Sequence, residues 1–310
     1  MPREEAMEVM SEEVPHIGIC ICTYKRPDFL RHLLQKLATL ETGGRFSWSV
    51  VVADNDADES AREVVAEAGR DLPGRVNYCV QPEQNIALTR NEALANATGE
   101  YIAFLDDDEF PESCWLLTMY ETCVALEADG VLGPVLPYFE TDPPSWIVKG
   151  GFCDRPRHRT GHEMEWSNSR TGNLLFRRGI IEDLEEPFRP EFGSGGEDRD
   201  FFRRMIAVGR RFVWCDEAPV YEWVPPVRLR KSFMLRRALL RGKVSLNNRS
   251  GLGAVAKSAV AIILYSLALP FALFLGQHQF MNLLIRICDH GGMIMAKVGI
   301  DPVRETYVTE

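Results

Sequence analysis

An α/β fold built on a mostly parallel sheet follows from three features of this 310-residue chain. Strand-like and helix-like periods alternate from residue 16 onward, the strand-like runs are apolar throughout, and several end abruptly in polar residues. Continuously apolar strands are those covered on both faces, the pattern of parallel sheets. Ile17 to Cys22 is the first such run; it ends in Thr23 to Asp28, and Phe29, Leu30, Leu33, Leu34 and Leu37 then recur at helical spacing. Ser49 to Ala53 repeats the strand, breaks at Asp54 to Asp58, and precedes a helical stretch from Ala61 to Ala68. Val76 to Val80 predicts a third strand, Ile86 to Ala97 a third helix, and Tyr101 to Leu105 a fourth strand that delivers Asp106, Asp107 and Asp108 at its carboxyl end. Ligands of such sheets gather beyond the carboxyl ends of the strands, so the loops 23–28, 54–58 and 106–109 are expected to converge on one crevice.

Later segments are less regular. Thr141-Asp142-Pro143-Pro144-Ser145-Trp146 and the basic stretch Asp154 to His162 read as loops, the second long enough to serve as a lid. Asn173 to Phe176 reads as a returning strand. The glycines of Gly193-Ser194-Gly195-Gly196 open a helix whose residues Phe201, Phe202, Met205 and Ile206 share a face, which places Glu197 and Asp198 in its first turn.

Composition narrows the function classes. A net charge of -10 argues against nucleic acid as a partner, yet from Arg228 to Lys257 there are nine basic residues and no acidic one. The eight cysteines form no paired CxxC set and read as reduced thiols. The chain divides into an acidic leader (1–15), an α/β catalytic part (16–225) and a basic, apolar C-terminal region (226–310) expected to associate with membrane. Residues 1–15 lack core periodicity, and no signal-peptide core follows Met1, which points to a cytosolic catalytic part. Ser258 to Gln277 carries no charge across 20 residues, about the length that spans a bilayer, with Pro270 inside it. The alternatives are a buried core helix or an interfacial segment; the basic residues upstream suit an anionic, cytoplasmic lipid face. Phe280 to Ile287 and Met293 to Ile300 form a second apolar region that Asp289-His290-Gly291-Gly292 interrupts.

Asp106-Asp107-Asp108 carries the chemistry. Adjacent carboxylates repel, so a fold that holds them together has a cation or polar ligand to compensate, unless the loop is simply solvated. Hard oxygen donors suit Mg²⁺ or Mn²⁺, which keep open positions for substrate phosphates.

Ile21-Cys22-Thr23-Tyr24-Lys25-Arg26-Pro27, Val51-Val52-Ala53-Asp54-Asn55-Asp56, Asn85 to Asn91, Gly99 to Asp108 and Gly196-Glu197-Asp198 occur in an order and spacing that resemble glycosyltransferase family 2. These are the inverting enzymes of GT-A fold, and the pattern is most similar to bacterial exopolysaccharide transferases of the succinoglycan β-1,4-glucosyltransferase type. The resemblance covers residues 16–225. It implies a GT-A sheet, Mg²⁺ or Mn²⁺, a nucleotide-diphosphate sugar donor such as UDP-glucose, and a polyprenyl-diphosphate-linked glycan acceptor at the cytoplasmic face of the inner membrane, beside anionic lipids.

Residue by residue, the resemblance assigns Thr23 and Tyr24 to the nucleoside, with Tyr24 stacking on the base or else packing the turn. Asp54 is expected to meet the nucleoside or to cap an Asx turn. Arg90 reaches a phosphate or forms an ion pair. Asp106 and Asp108 hold the metal, Asp107 meets the ribose or a metal-bound water, and Asp198 is the catalytic base, with Glu197 binding acceptor or orienting the loop. Trp146 and Trp166 stack on acceptor sugars or belong to the core. Glu222 lies where related enzymes place a further metal or diphosphate contact, or forms a structural ion pair. His158 and His162 lack partners at metal spacing.

Two departures shape the expectation. Ala53-Asp54-Asn55-Asp56 replaces the family's Asp-Asp-Gly-Ser, and no Gln-x-x-Arg-Trp motif of processive synthases is present, which points to one sugar per acceptor. Two rival readings are a sugar-phosphate nucleotidyltransferase, disfavoured by the absence of a Gly-x-Gly-Thr-Arg loop near the start, and a non-catalytic membrane-bound scaffold.

Overall fold

The computed structural model describes residues 14–72, 75–193, 195–245 and 252–300. Most of the acidic leader and residues 246–251 of the basic stretch lie outside the described residues. Two compact units emerge: residues 1–136 with 155–222, and residues 137–154 with 223–310.

The first unit holds the α/β sheet. Its elements run β1 (His16–Thr23), α1 (Pro27–Leu37), β2 (Ser47–Asp54), α2 (Arg62–Asp71), β3 (Val76–Val80), α3 (Ile86–Asn96), β4 (Tyr101–Asp106), β5 (Glu109–Pro111), α4 (Trp115–Ala125) and β6 (Gly130–Leu132). The border with the second unit falls within β7 (Val135–Tyr138) and β10 (Val220–Trp223). In the second unit lies α5 (Ser145–Gly150), and the first resumes with β8 (Leu174–Arg177), α6 (Glu197–Ala207) and β9 (Phe212–Trp214).

Seven strands order as β3-β2-β1-β4-β8-β6-β9. Strands β1 to β4 are parallel and β6 runs parallel to β9, while β8 is antiparallel to both its neighbours. The chain leaves β1 toward β2 and β3 and returns to its other side as β4, so the crevice opens at the carboxyl ends of β1 and β4. In register, Cys22 faces Asp106 across these strands and Thr23 faces Asp54. Two apolar layers cover the sheet. One includes Leu30, Leu33, Leu34, Trp115 and Met119; the other includes Leu94, Phe176, Phe188, Phe201 and Phe212. This double covering explains why the strands read as unbroken apolar runs.

Two local expectations change. The stretch 154–162 is no open lid: Gly161 N donates to Trp214 O and Trp214 N to His162 O (both 2.9 Å), and Glu163 bridges Val213, so 161–164 line the edge of β9. His158 and His162 stack on each other there, their centroids 4.5 Å apart. The interruption expected at Asp289 to Gly292 in the last apolar region is absent as well.

The second unit is helical: α5, α7 (Lys231–Ser245), α8 (Leu252–Leu275) and α9 (Gln277–Lys297). Asp289 to Gly292 do not break α9, which is one helix through both glycines. A Cβ at Gly292 would overlap the carbonyl of Leu239, so this glycine serves close approach to α7. One helix, Val255–Leu275, is long and apolar enough to cross a membrane, with a mean hydropathy of 2.2.

Gly99 joins α3 to β4 at φ +105°, where a Cβ would overlap the His16 carbonyl. Gly99→Ala is expected to lower stability by about 2 kcal/mol or more. Gly44→Ala, at φ +71° with open space around it, is expected to lose about 1 kcal/mol. Urea unfolding of both variants checks this, and equal losses would contradict the close approach.

Candidate active site

The acidic turn distributes its carboxylates unequally. Strand β4 ends at Asp106, the chain turns through Asp107 and Asp108, and β5 begins at Glu109. The Asp106 side chain is 46% exposed against 7% for Asp107 and 12% for Asp108, so Asp106 is the one most open to a ligand. Asp107 is occupied: Thr23 Oγ1 donates to its Oδ2 at 2.8 Å and Arg26 to its Oδ1 at 3.2 Å. Thr23 therefore ties β1 to the acidic turn through its hydroxyl. Arg26 also reaches Asp108 Oδ2 at 3.3 Å. Burial, followed by the charges of Asp107, Asp106 and Glu222, pushes the Asp108 carboxyl up to about 7. Burial likewise raises Asp107, against the opposing pull of Arg26 and Thr23.

Two glutamates extend this cluster. Glu109 is buried, accepts the Asp106 amide at 3.2 Å on Oε2, and has no hydrogen-bond partner for Oε1 among the described residues. Its carboxyl is held well above the usual range, by burial first and then by Asp106. Glu222 stands directly opposite it in the antiparallel pairing of β5 with β10, and Arg155 donates to Glu222. Gly172 makes room for this arrangement, since a Cβ there would lie 2.6 Å from Glu109 Oε1.

Asp54 is engaged by its own turn and by the neighbouring strand. Its Oδ1 accepts the amide of Asp56 at 3.1 Å, and its Oδ2 accepts Ala61 N at 2.8 Å and Tyr78 Oη at 2.9 Å, all with the residue fully buried. The Asx turn after β2 is thus made by Asp54 itself. Asn55 clamps the next loop: its Nδ2 donates to Gln81 O (2.8 Å) and Glu83 O (2.6 Å) and its Oδ1 accepts Asn85 N (3.0 Å). Asp56 pairs with Lys25 at 3.7 Å, and Lys25 lies 5.3 Å from the ring of exposed Tyr24.

Helix α3 grips the approach to α6. Asn85 caps α3, accepting from Ala87 N and Leu88 N, while its Nδ2 donates to Pro190 O at 3.0 Å. Asn91 donates to Phe188 O at 2.6 Å and accepts Phe188 N at 3.0 Å. Arg90, also buried, donates to Glu197, the first residue of α6, and lies 3.6 Å from Asp106. Arg90 therefore binds protein carboxylates on both sides, and is committed to neither phosphate nor solvent.

Asp198 follows Glu197 after two glycines of positive φ, Gly195 and Gly196. Of the acids in this first turn, Glu197 is taken by Arg90, and Asp200 is buried among Arg189, Arg203 and Arg204. Asp198 keeps a partly open carboxylate, with Arg170 Nε at 3.9 Å from Oδ2. Arg170 comes from the turn that carries exposed Trp166, and that turn packs on α6. Trp146 lies elsewhere: it is buried in the second unit with Ile147, Met234 and Met281, a packing residue and no stacking platform.

Hard oxygen donors in surplus over the guanidinium groups, an orphaned Glu109 oxygen and the raised proton affinity of Asp108 fit a divalent cation. No group of three or more acidic, His or Cys side chains is poised around a single ion among the described residues. Asp106 and Asp108 are the side chains that would hold one.

Residues 18–184 match the description Glycosyl transferase family 2. The chain belongs to this family. Glycosyl transferase family 2 membership agrees with a relative of Rhizobium meliloti (strain 1021), the succinoglycan biosynthesis protein ExoM, 37% identical over 76% of this chain and 75% of its own length. Among solved structures, Staphylococcus TarS 1-349 (S. aureus) in complex with UDP-GlcNAc covers 92% of this chain and 91% of its own at 16% identity and TM-score 0.54. Mannosyltransferase PcManGT from Pyrobaculum calidifontis, in complex with GDP-Man and Mn²⁺, covers 92% and 88% at 15% identity and TM-score 0.62. These two establish the GT-A-like fold.

Arg26, Arg155, Arg170 and Glu109 carry no motif of their own in the sequence. Two of them had a signal in their surroundings, Glu109 in the acidic run and Arg26 in the run Ile21 to Pro27. Arg90→Leu is expected to leave Glu197 buried and unpaired and to lower stability by about 3–5 kcal/mol. Adding Glu197→Leu should recover most of that loss in urea unfolding, and a double variant as unstable as the sum of the two singles would contradict the pair.

Proposed function

We propose that this chain is an inverting, metal-dependent transferase that adds one sugar, glucose from UDP-glucose, to a polyprenyl-diphosphate-linked oligosaccharide during exopolysaccharide synthesis. The observation that carries this reading is the connection from Asp106 through Arg90 to Glu197, which ties the acidic turn to the residue beside Asp198. Donor-binding acids and a catalytic carboxylate must keep a fixed separation for transfer in one displacement.

In this reading the Asp198 carboxylate takes the proton of an acceptor hydroxyl, whose oxygen attacks the anomeric carbon as the bond from that carbon to the diphosphate oxygen breaks. Attack from the opposite face inverts the anomeric centre. A divalent cation at Asp106 and Asp108 would stabilise the charge that develops on the departing diphosphate. Tyr24 stacks on the nucleobase, and Arg170 orients Asp198 from 3.9 Å while Trp166 meets acceptor sugar.

Support for the glycan class comes from the Rhizobium relative, a succinoglycan biosynthesis protein. A nucleotide-sugar donor is supported by the UDP-GlcNAc and GDP-Man complexes of the structural neighbours, and the metal by Mn²⁺ in one of them. The absence of Gln-x-x-Arg-Trp supports single addition. Membrane residence at the cytoplasmic face is supported by the apolar helix Val255–Leu275 and by the basic run before it.

Asp108→Ala and Asp198→Asn separate the two roles. Calorimetry with UDP-glucose and Mn²⁺ is expected to show Asp108→Ala binding donor at least about tenfold more weakly, while Asp198→Asn binds within about twofold of the parent. Transfer by Asp198→Asn should fall by about 10²–10⁴-fold. Equal loss of donor affinity in both variants would contradict the assignment.

A further inference from the structure

We infer that α8 lies in the plane of an anionic lipid surface, as the outer member of a helical layer, and does not cross the bilayer. This rests on the membrane residence proposed above and specifies its geometry.

Length alone allows a crossing: α8 has 24 residues, about 36 Å at 1.5 Å per residue. Its packing argues otherwise. Ser258, Tyr265 and Ala272, seven residues apart, mark the seam toward α9. Ser258 Oγ lies 2.9 Å from His290 Nδ1, the Tyr265 ring is 6.0 Å from that of His290, and Arg286 sits 5.8 Å from the Tyr265 centroid. Helices α8 and α9 are therefore an antiparallel hairpin with polar groups along the seam. The opposite stripe, Val260, Ile263, Leu264, Leu267, Phe271 and Phe274, follows helical i, i+3, i+4 spacing and is 56–90% exposed. Only 11% of the Val255–Leu275 window is buried among the described residues.

The far side of α9 decides the matter. Near its start, Met281 packs with Trp146 and Ile147 of α5. Further along, α7 crosses so closely that a Cβ at Gly242 would overlap the Asp289 carbonyl, and Arg241 donates to Asp289 at 2.8 and 2.6 Å. Helix α7 carries Lys231, Arg236, Arg237, Arg241 and Lys243. If α8 crossed a bilayer with these contacts intact, α9 and α7 would be drawn into the hydrocarbon with it. Each Arg, Lys or Asp at mid-bilayer is opposed by the loss of its hydration. In the plane, the apolar stripe alone enters the headgroup and acyl boundary, while the basic residues stay in water near anionic headgroups.

The test uses sealed inverted membrane vesicles from cells that express the full chain carrying Gln277→Cys or Gln279→Cys, two exposed positions just after the α8–α9 turn. A membrane-impermeant maleimide is added without detergent, and labelling at 277 and 279 is read by mass spectrometry beside that of exposed Cys114. An in-plane helix predicts labelling at either position to at least half the extent of Cys114. Any crossing of α8 puts both positions in the lumen, so protection of both until detergent is added, with Cys114 labelled, would overturn the inference. Recovery of the chain only in the soluble fraction would overturn it too. In parallel, Leu267→Glu is expected to reduce flotation with phosphatidylcholine–phosphatidylglycerol vesicles at least tenfold, and unchanged flotation would count against the stripe. Neither readout uses donor or acceptor, so the placement stands or falls separately from the proposed transfer reaction.

Discussion

One buried guanidinium holds the first unit's chemistry in register. Arg90 pairs with Glu197 at the start of α6 and stands 3.6 Å from Asp106 at the end of β4. A buried ion pair adds little net stability, because desolvation offsets most of the attraction. Its consequence is positional: a misplaced α6 would leave two charges buried without partners. Asn85 and Asn91, from the same helix as Arg90, bind the backbone at Pro190 and Phe188 just upstream. The three residues fix the loop, the glycines fix the helix start, and Asp198 is presented as a result.

The acidic turn is organised by the same economy of partners. Thr23 at the end of β1 and Arg26 in the loop after it bind Asp107, Arg26 also reaches Asp108, and Asp106 is the most open of the three. Glu109 and Glu222 add negative charge from the paired strands β5 and β10, and Arg155 balances only part of it. Such a surplus of carboxylates favours a cation over an anion at this turn. The fold supplies this crevice by reversing strand order at β1, and the loops that line it come from strands distant in sequence.

Much of this is legible in the sequence, for local reasons. Apolar runs of strand length, helical spacing after each, and the acidic end of β4 are properties of short windows, and they located the parallel half of the sheet and the candidate acids. The place of Asp198 in the first turn of α6 was legible because glycines precede it. Pairings across long separations were not: Arg90 and Glu197 are 107 residues apart, and no spacing rule connects them. Asp54 stayed open in the sequence because an Asp that caps its own turn looks the same there as one that faces a ligand; its three donors show the turn. Trp146 was equally ambiguous, since a tryptophan in a Pro-rich loop serves packing or stacking alike, and its neighbours here come from α7 and α9. The Gly291-Gly292 pair looked like a helix break, but the second glycine admits α7.

The most direct test of the central claim is a panel of nucleotide sugars incubated with the full chain and Mn²⁺ or Mg²⁺, with and without a membrane lipid extract, following release of nucleoside diphosphate. The account predicts metal-dependent release from one donor, UDP-glucose, stimulated by the extract. Silence across the panel from folded protein, or release that ignores both metal and extract, would contradict it.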